Sequence, residues 1–279
     1  MSTASADQSR TRRLPAPVAL LGAAHPGPAF AVTVLSGLLA GAVDLGARDI
    51  ALVVGAVLTG QLSIGWSNDL IDLRRDRTVG RVDKPLATGA ISEQTVRIAC
   101  ASAAVATVPL SLFCGWLAGT VHLACVACGW AYNLGLKSTP WSWAPYALAF
   151  GGLPVFVSLT AAPDDLPALW PPLAGALLGV GAHFVNVLPD LGDDEATGVR
   201  GLPHRIGARW SQVVAAVVLV GATVVIVVGA PVESTVVAVV ALVLSGGLGL
   251  IALLSSGRTP FLAAIAMALL DVVLLVWAT

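Results

Sequence analysis

Apolar runs close to the ~20 residues that a helix needs to cross a bilayer recur along the whole sequence, at about 28–44, 50–72, 94–112, 116–134, 143–161, 171–190, 210–229, 233–254 and 260–277. In hydrocarbon every backbone N–H and C=O must be satisfied within its own segment or in a closed barrel, and runs this long and continuous are helical. The links between them are too short to hold a water-soluble domain. Composition agrees: 57% of residues are hydrophobic and 11% charged, against about 45–50% and about 25% in an average soluble domain. The expected fold is an all-α integral membrane protein of about nine transmembrane helices. Residues 1–24 are expected to be an N-terminal tail with an interfacial segment, and 25–279 a single transmembrane domain.

Alternate links lie on opposite sides of the membrane, and cytoplasmic links collect Lys and Arg. With nine spans, the N-terminus and every second link hold Arg10, Arg12, Arg13, Arg74, Arg75, Arg77, Arg81, Lys84, Arg97, Lys137, Arg200, Arg205, Arg209 and Arg258, while the opposite links hold only Arg48 of the 15 basic residues. This bias predicts a cytoplasmic N-terminus and a C-terminus outside.

Against the apolar background stand two acidic islands. The first reads Asn68-Asp69-Leu70-Ile71-Asp72-Leu73-Arg74-Arg75-Asp76, and the second runs from Asn186 through Asp190, Asp193 and Asp194. An offset of 118 residues superposes Asn68 on Asn186, Asp72 on Asp190, Asp76 on Asp194 and Gly80 on Gly198. Asp72/Asp76 and Asp190/Asp194 are spaced i, i+4, which on a helix places both carboxylates of a pair on one face. Both islands fall at cytoplasmic helix ends by the parity argument. Carboxylates gathered in a low dielectric repel one another unless cations bind among them. Oxygen-only ligands beside basic loops suit Mg²⁺, which binds through one or two carboxylates together with substrate phosphates. Topology alone would place basic residues on these loops, so their coincidence with the carboxylates is the informative part.

The stretch Asn68-Asp69-x-x-Asp72-x-x-x-Asp76, followed by Arg81-Val82-Asp83-Lys84-Pro85-Leu86-Ala87-Thr88-Gly89, resembles the first signature of the UbiA-type intramembrane prenyltransferases, and Asp190-x-x-x-Asp194 resembles their second. Lys84 stands where many members of that family carry Arg, which keeps the charge and loses bidentate geometry. The resemblance implies a helical bundle around a central cavity and a polyprenyl diphosphate donor bound through two Mg²⁺ ions. It implies transfer of the prenyl group to a small, lipophilic, aromatic-type acceptor. On that reading Asp72, Asp76, Asp190 and Asp194 are catalytic metal ligands, supported by Asn68, Asp69, Asn186 and Asp193. Lys137, Arg81, Lys84 and Arg205 are the diphosphate-binding candidates. The expected partners are these two substrates and membrane lipid, with no nucleic acid and no obligate protein partner.

A membrane terpene cyclase would share these residues, because cyclisation begins with the same ionisation. A cation or metabolite transporter is the reading from another class, but transporter sites sit near the bilayer midplane and not at helix ends beside basic loops. The four cysteines, Cys100, Cys114, Cys125 and Cys128, are read as packing residues, and Tyr132 as an interfacial anchor or a site residue. Asp271, well inside the last apolar run, is expected to be hydrogen-bonded, neutral or close to the outer surface, since a charge there costs about 2.5–3.5 kcal/mol on insertion scales.

Overall fold

The computed structural model describes residues 15–192, 198–230 and 234–279. The expected N-terminal tail up to residue 14 lies outside the described residues, as do Asp193 and Asp194. Among the described residues the chain is entirely helical, with ten α-helices: α1 Ala16–Gly22, α2 Pro26–Ala42, α3 Ala47–Thr78, α4 Glu93–Phe113, α5 Trp116–Leu134, α6 Ala144–Ala161, α7 Trp170–Val187, α8 Leu202–Gly229, α9 Thr235–Leu254 and α10 Thr259–Ala278. Helices α2 to α10 fall on the nine apolar runs. Seven of them, α3 to α6 and α8 to α10, are long and apolar enough to cross a membrane. The pair α1 and α2, bent by 74° at a short break, passes the same test taken together. Helix α7 is outside that set, its apolar run diluted by Trp170, Pro171, Pro172, His183 and Asn186.

Local chemistry marks the helix boundaries. Pro occupies the first turn of α1, α2, α6, α7, α8 and α10, where its missing N–H costs nothing. Ser92 and Ser234 cap α4 and α9, each hydroxyl accepting the N–H three residues on. Helix α3 closes in a Schellman turn: Arg81 N–H donates to Asp76 O at 3.0 Å around Gly80, whose φ of 69° only glycine adopts without strain.

In the packed bundle α3 lies against α2, α4 and α5, and α6 against α5 and α7. Helix α8 lies against α7, α9 and α10, and α10 returns to touch α2 and α7. Close approach relies on small residues: a Cβ on Gly175 would strike Phe150 O, and one on Gly179 would overlap Tyr146 O. The apolar core has two parts. The larger joins α2, α3 and α5 to α10 around Leu39, Val53, Phe156, Leu219 and Met267. The smaller joins α1, α3 and α4 around Ala19, Trp66, Leu86 and Ile91, directly behind the first acidic island.

Candidate active site

Helix α3 runs without interruption through the first island, so the expected helical spacing of Asp69, Asp72 and Asp76 is realised. All three carboxylates are buried, at 2%, 6% and 1% exposure. Three unpaired charges so placed would each cost several kcal/mol, and the chain supplies basic partners from separate segments. Lys137 Nζ reaches both oxygens of Asp72, at 2.6 and 2.7 Å. Lys84 Nζ bridges Asp69 Oδ1 and Asp76 Oδ2, at 3.0 Å each. Arg75 donates to Asp72 Oδ2 at 3.2 Å and lies 3.7 Å from Asp76 Oδ1. His25 Nε2 stands 2.9 Å from Asp69 Oδ1.

Both lysines are delivered by glycine-dependent turns. Gly135, with φ 151°, stops α5 and lets Leu136–Ser138 form a 3₁₀ turn that carries Lys137 back against α3. After the Gly80 turn the chain sends Arg81 towards Asp83, which accepts two hydrogen bonds from it at 2.9 and 2.8 Å. Lys84 folds inward, and Leu86, 1% exposed, plugs the loop into the smaller core. A cavity of about 190 Å³ opens beside this loop, lined by Asp76, Arg77, Gly80, Arg81, Val82, Ala87 and Thr88.

The two lysines differ electrostatically. Burial opposes the charge on both. At Lys84 the carboxylates of Asp69 and Asp76 outweigh burial and hold the ammonium above its ordinary pKa. At Lys137 burial prevails over the attraction of Asp72, helped by repulsion from Arg75 and Lys84, and the pKa falls. The Arg81 hydrogen bonds bring the Asp83 carboxyl down to about 2.

The second island is built differently. Helix α7 ends at Val187, and Leu188–Asp190 form a 3₁₀ turn. Pro189 has no N–H with which to continue the α-helical ladder, so the backbone tightens to 3₁₀ spacing over these three residues, between Val187 and Leu191, which both keep helical φ and ψ. Asn186 remains on α7, exposed, and its side chain shares a hydrogen bond with Tyr146, which also bonds Tyr132. Arg205 is exposed at the start of α8, its Nε donating to Arg200 O at 2.9 Å.

Several polar residues that the sequence did not single out complete this end of the bundle. Asn133 donates to Ile64 O and Ser67 Oγ and accepts from Asn68 at 3.2 Å, tying α5 to α3. Ser142, fully buried, bonds His183 Nε2 at 3.0 Å and accepts the Leu202 N–H at 2.9 Å, tying α6, α7 and α8. Tyr146 and Tyr132 pack on the His183 ring at 5.0 and 5.9 Å. The one signal available for them was their proximity in sequence to Tyr132, Lys137 and Asn186. The cysteines are free thiols, consistent with packing.

The carboxylates fit a hard cation. They offer oxygen ligands only, and Asp76 Oδ1 is buried without accepting a hydrogen bond. Among the described residues no group of three or more His, Cys, Asp or Glu side chains comes together as a metal-binding set. Lysines occupy the space between the acids of the first island, and Asp194 of the second lies outside the described residues.

The profile of the UbiA prenyltransferase family matches residues 29–277. No curated protein sequence matches the chain. Solved structures do match in fold: a digeranylgeranylglyceryl phosphate synthase at 17% identity and TM-score 0.69, covering 94% of this chain and 97% of that one. A UbiA homologue from Aeropyrum pernix K1 follows at 15% and 0.67, covering 92% and 96%. A UbiA homologue from Archaeoglobus fulgidus bound to GPP and Mg²⁺ matches at 15% and 0.68, covering 94% and 100%. Seven apolar helices of spanning length make the chain a multi-pass membrane protein, and the family match over nearly its whole length shows that it belongs to the UbiA prenyltransferase family.

Proposed function

We propose that this protein is a Mg²⁺-dependent intramembrane prenyltransferase that moves a polyprenyl group from its diphosphate to a small lipophilic acceptor. The observation that carries this reading is the buried Asp69, Asp72 and Asp76 set held by Lys84 and Lys137 at the end of α3. Support comes from the Archaeoglobus fulgidus homologue, whose structures hold DMAPP with Mg²⁺ and GPP with Mg²⁺.

Asp72, Asp76, Asp190 and Asp194 would hold the metal, with Asn68, Asp69 and Asn186 behind them. Bound there, Mg²⁺ supplies positive charge to the departing diphosphate oxygen. Lys137 and Lys84, with Arg81 and Arg205 nearer the surface, hold the diphosphate by charge-assisted hydrogen bonds that strengthen as negative charge develops. The allylic C–O bond breaks with its electron pair going to the diphosphate, and the acceptor's nucleophilic atom forms the new bond to the prenyl carbon and gives up a proton. The apolar bundle keeps water from the allylic cation meanwhile.

In the membrane we propose nine crossings, adding the elbow of α1 and α2 and helix α7 to the seven spans. The lysine-rich end then faces the cytoplasm, as the distribution of basic residues requires.

A panel of prenyl diphosphates against aromatic and lipid-like acceptors, with Mg²⁺ and mass-spectrometric detection, tests the reading. The expected product is a prenylated acceptor. A hydrocarbon or terpene alcohol formed without acceptor would replace transfer by cyclisation, and ion or metabolite flux in proteoliposomes that is lost in Asp72→Ala would replace both by transport.

A further inference from the structure

The elbow between α1 and α2 is fastened to the acidic island at several points. Ala23 and Ala24 are buried. The Ala24 carbonyl lies where a Cβ on Gly65 would be, and Gly22 faces the Pro85 ring, with room for a Cβ only at 3.1 Å. The Trp66 indole N–H donates to Leu20 O at 2.9 Å. His25 sits at the corner with φ 53° and ψ 63°, a left-handed conformation that most residues with a side chain avoid. Its Nε2, which must carry the proton because a carboxylate only accepts, donates to Asp69 Oδ1 at 2.9 Å.

The same Asp69 oxygen holds Lys84, which also reaches Asp76. If Asp76 turns to a metal ion, as the proposed function requires, Lys84 loses one of its two anchors and Asp69 alone keeps the ammonium at the site. Resting on that reading, we propose that His25 is a positioning residue: by fixing Asp69 it holds Lys84 where the diphosphate binds, so the N-terminal elbow is part of the substrate site. The chain of contacts runs from His25 Nε2 through Asp69 Oδ1 to Lys84 Nζ, and each link is a charge-assisted hydrogen bond whose strength depends on fixed geometry.

The test measures binding of inorganic diphosphate with Mg²⁺ to the purified full-length protein by calorimetry, alongside thermal melting. His25→Asn keeps a residue tolerant of left-handed backbone but shortens the reach. His25→Gln places an N–H near the position of Nε2. Binding is expected to weaken about tenfold in His25→Asn and to recover to within about threefold in His25→Gln. In a Lys84→Met background His25→Asn should cause no further loss, because the contact it supports is gone. Equal losses with and without Lys84, or unchanged binding in His25→Asn, would overturn the inference and leave the prenyl diphosphate reading standing. Failure of the unaltered protein to bind Mg²⁺ and diphosphate would overturn both together.

Discussion

Among the described residues carboxylates are buried in two regions, and the two are treated in opposite ways. At the end of α3, Asp69, Asp72 and Asp76 meet Lys84, Lys137, Arg75 and His25 within 3.7 Å. Between α8, α9 and α10, Asp271 is 0% exposed and accepts a short hydrogen bond from Thr223, whose oxygen is 2.7 Å from Ser245 Oγ. Its other oxygen, Oδ2, is buried without a partner among the described residues. Ammonium groups on mobile four-carbon stems can exchange one anion for another. Hydroxyls on packed helices cannot, and they fix one arrangement. The first region therefore has the chemistry of a site that takes up ions, and the second that of a clamp between helices.

The sharpest way to break this contrast is to neutralise the acids of α3. Asp72→Asn and Asp76→Asn keep the side-chain shape and should each lower Mg²⁺-dependent turnover by at least about a thousandfold, with the melting temperature reporting that the fold survives. Asp190→Ala is expected to behave alike. Normal turnover in all three would remove the acids from the mechanism. Chelation of divalent ions should abolish activity to the same degree, with recovery on adding Mg²⁺; full activity in chelator would disconnect the site from metal.

Lys137→Met should fall next in size, at about a hundredfold to a thousandfold in kcat/KM for the prenyl diphosphate. It removes the ammonium and leaves the Asp72 carboxylate, whose remaining partner is Arg75. Lys84→Met should act in the same direction. If either lysine served only to neutralise the buried acids, the variant would lose stability and keep kcat/KM, so melting and kinetics measured together separate the two roles.

How much of this could be read from the sequence follows from the range of each interaction. The nine apolar runs and the acidic islands rest on local periodicity and on residues that membranes rarely admit, and those signals survive without coordinates, whereas the pairing of Lys137 with Asp72 spans 65 residues and appears only in the fold. Arg81 and Lys84 look equivalent in sequence, yet Arg81 closes on Asp83 only two residues away while Lys84 turns inward, a difference set by the Gly80 turn. His25 carried no signal, because its contact with Asp69 spans 44 residues and depends on the 74° elbow. The 3₁₀ turn at Leu188–Asp190 follows from Pro189, which has no N–H with which to continue the α-helical ladder. Ser142 and Asn133 were invisible for the same reason as His25: each joins helices brought together only by folding.

The smallest effect on activity is expected at Asp271. Asp271→Ala takes the acceptor from Thr223 and leaves the Thr223 and Ser245 hydroxyls to each other, at a cost of about 1–3 kcal/mol in stability. Asp271→Asn keeps an oxygen at the same place and should melt close to the parent. Turnover in both should stay within about threefold, since the triad joins α8, α9 and α10 while the lysine cluster is assembled from α1 to α5 and their turns. Purified protein in detergent, melted and assayed in parallel with the Asp72 variant, gives both readouts. A loss of turnover in Asp271→Ala without a loss of stability would show that the two regions act as one, and the division between an exchanging site and a fixed clamp would have to be abandoned.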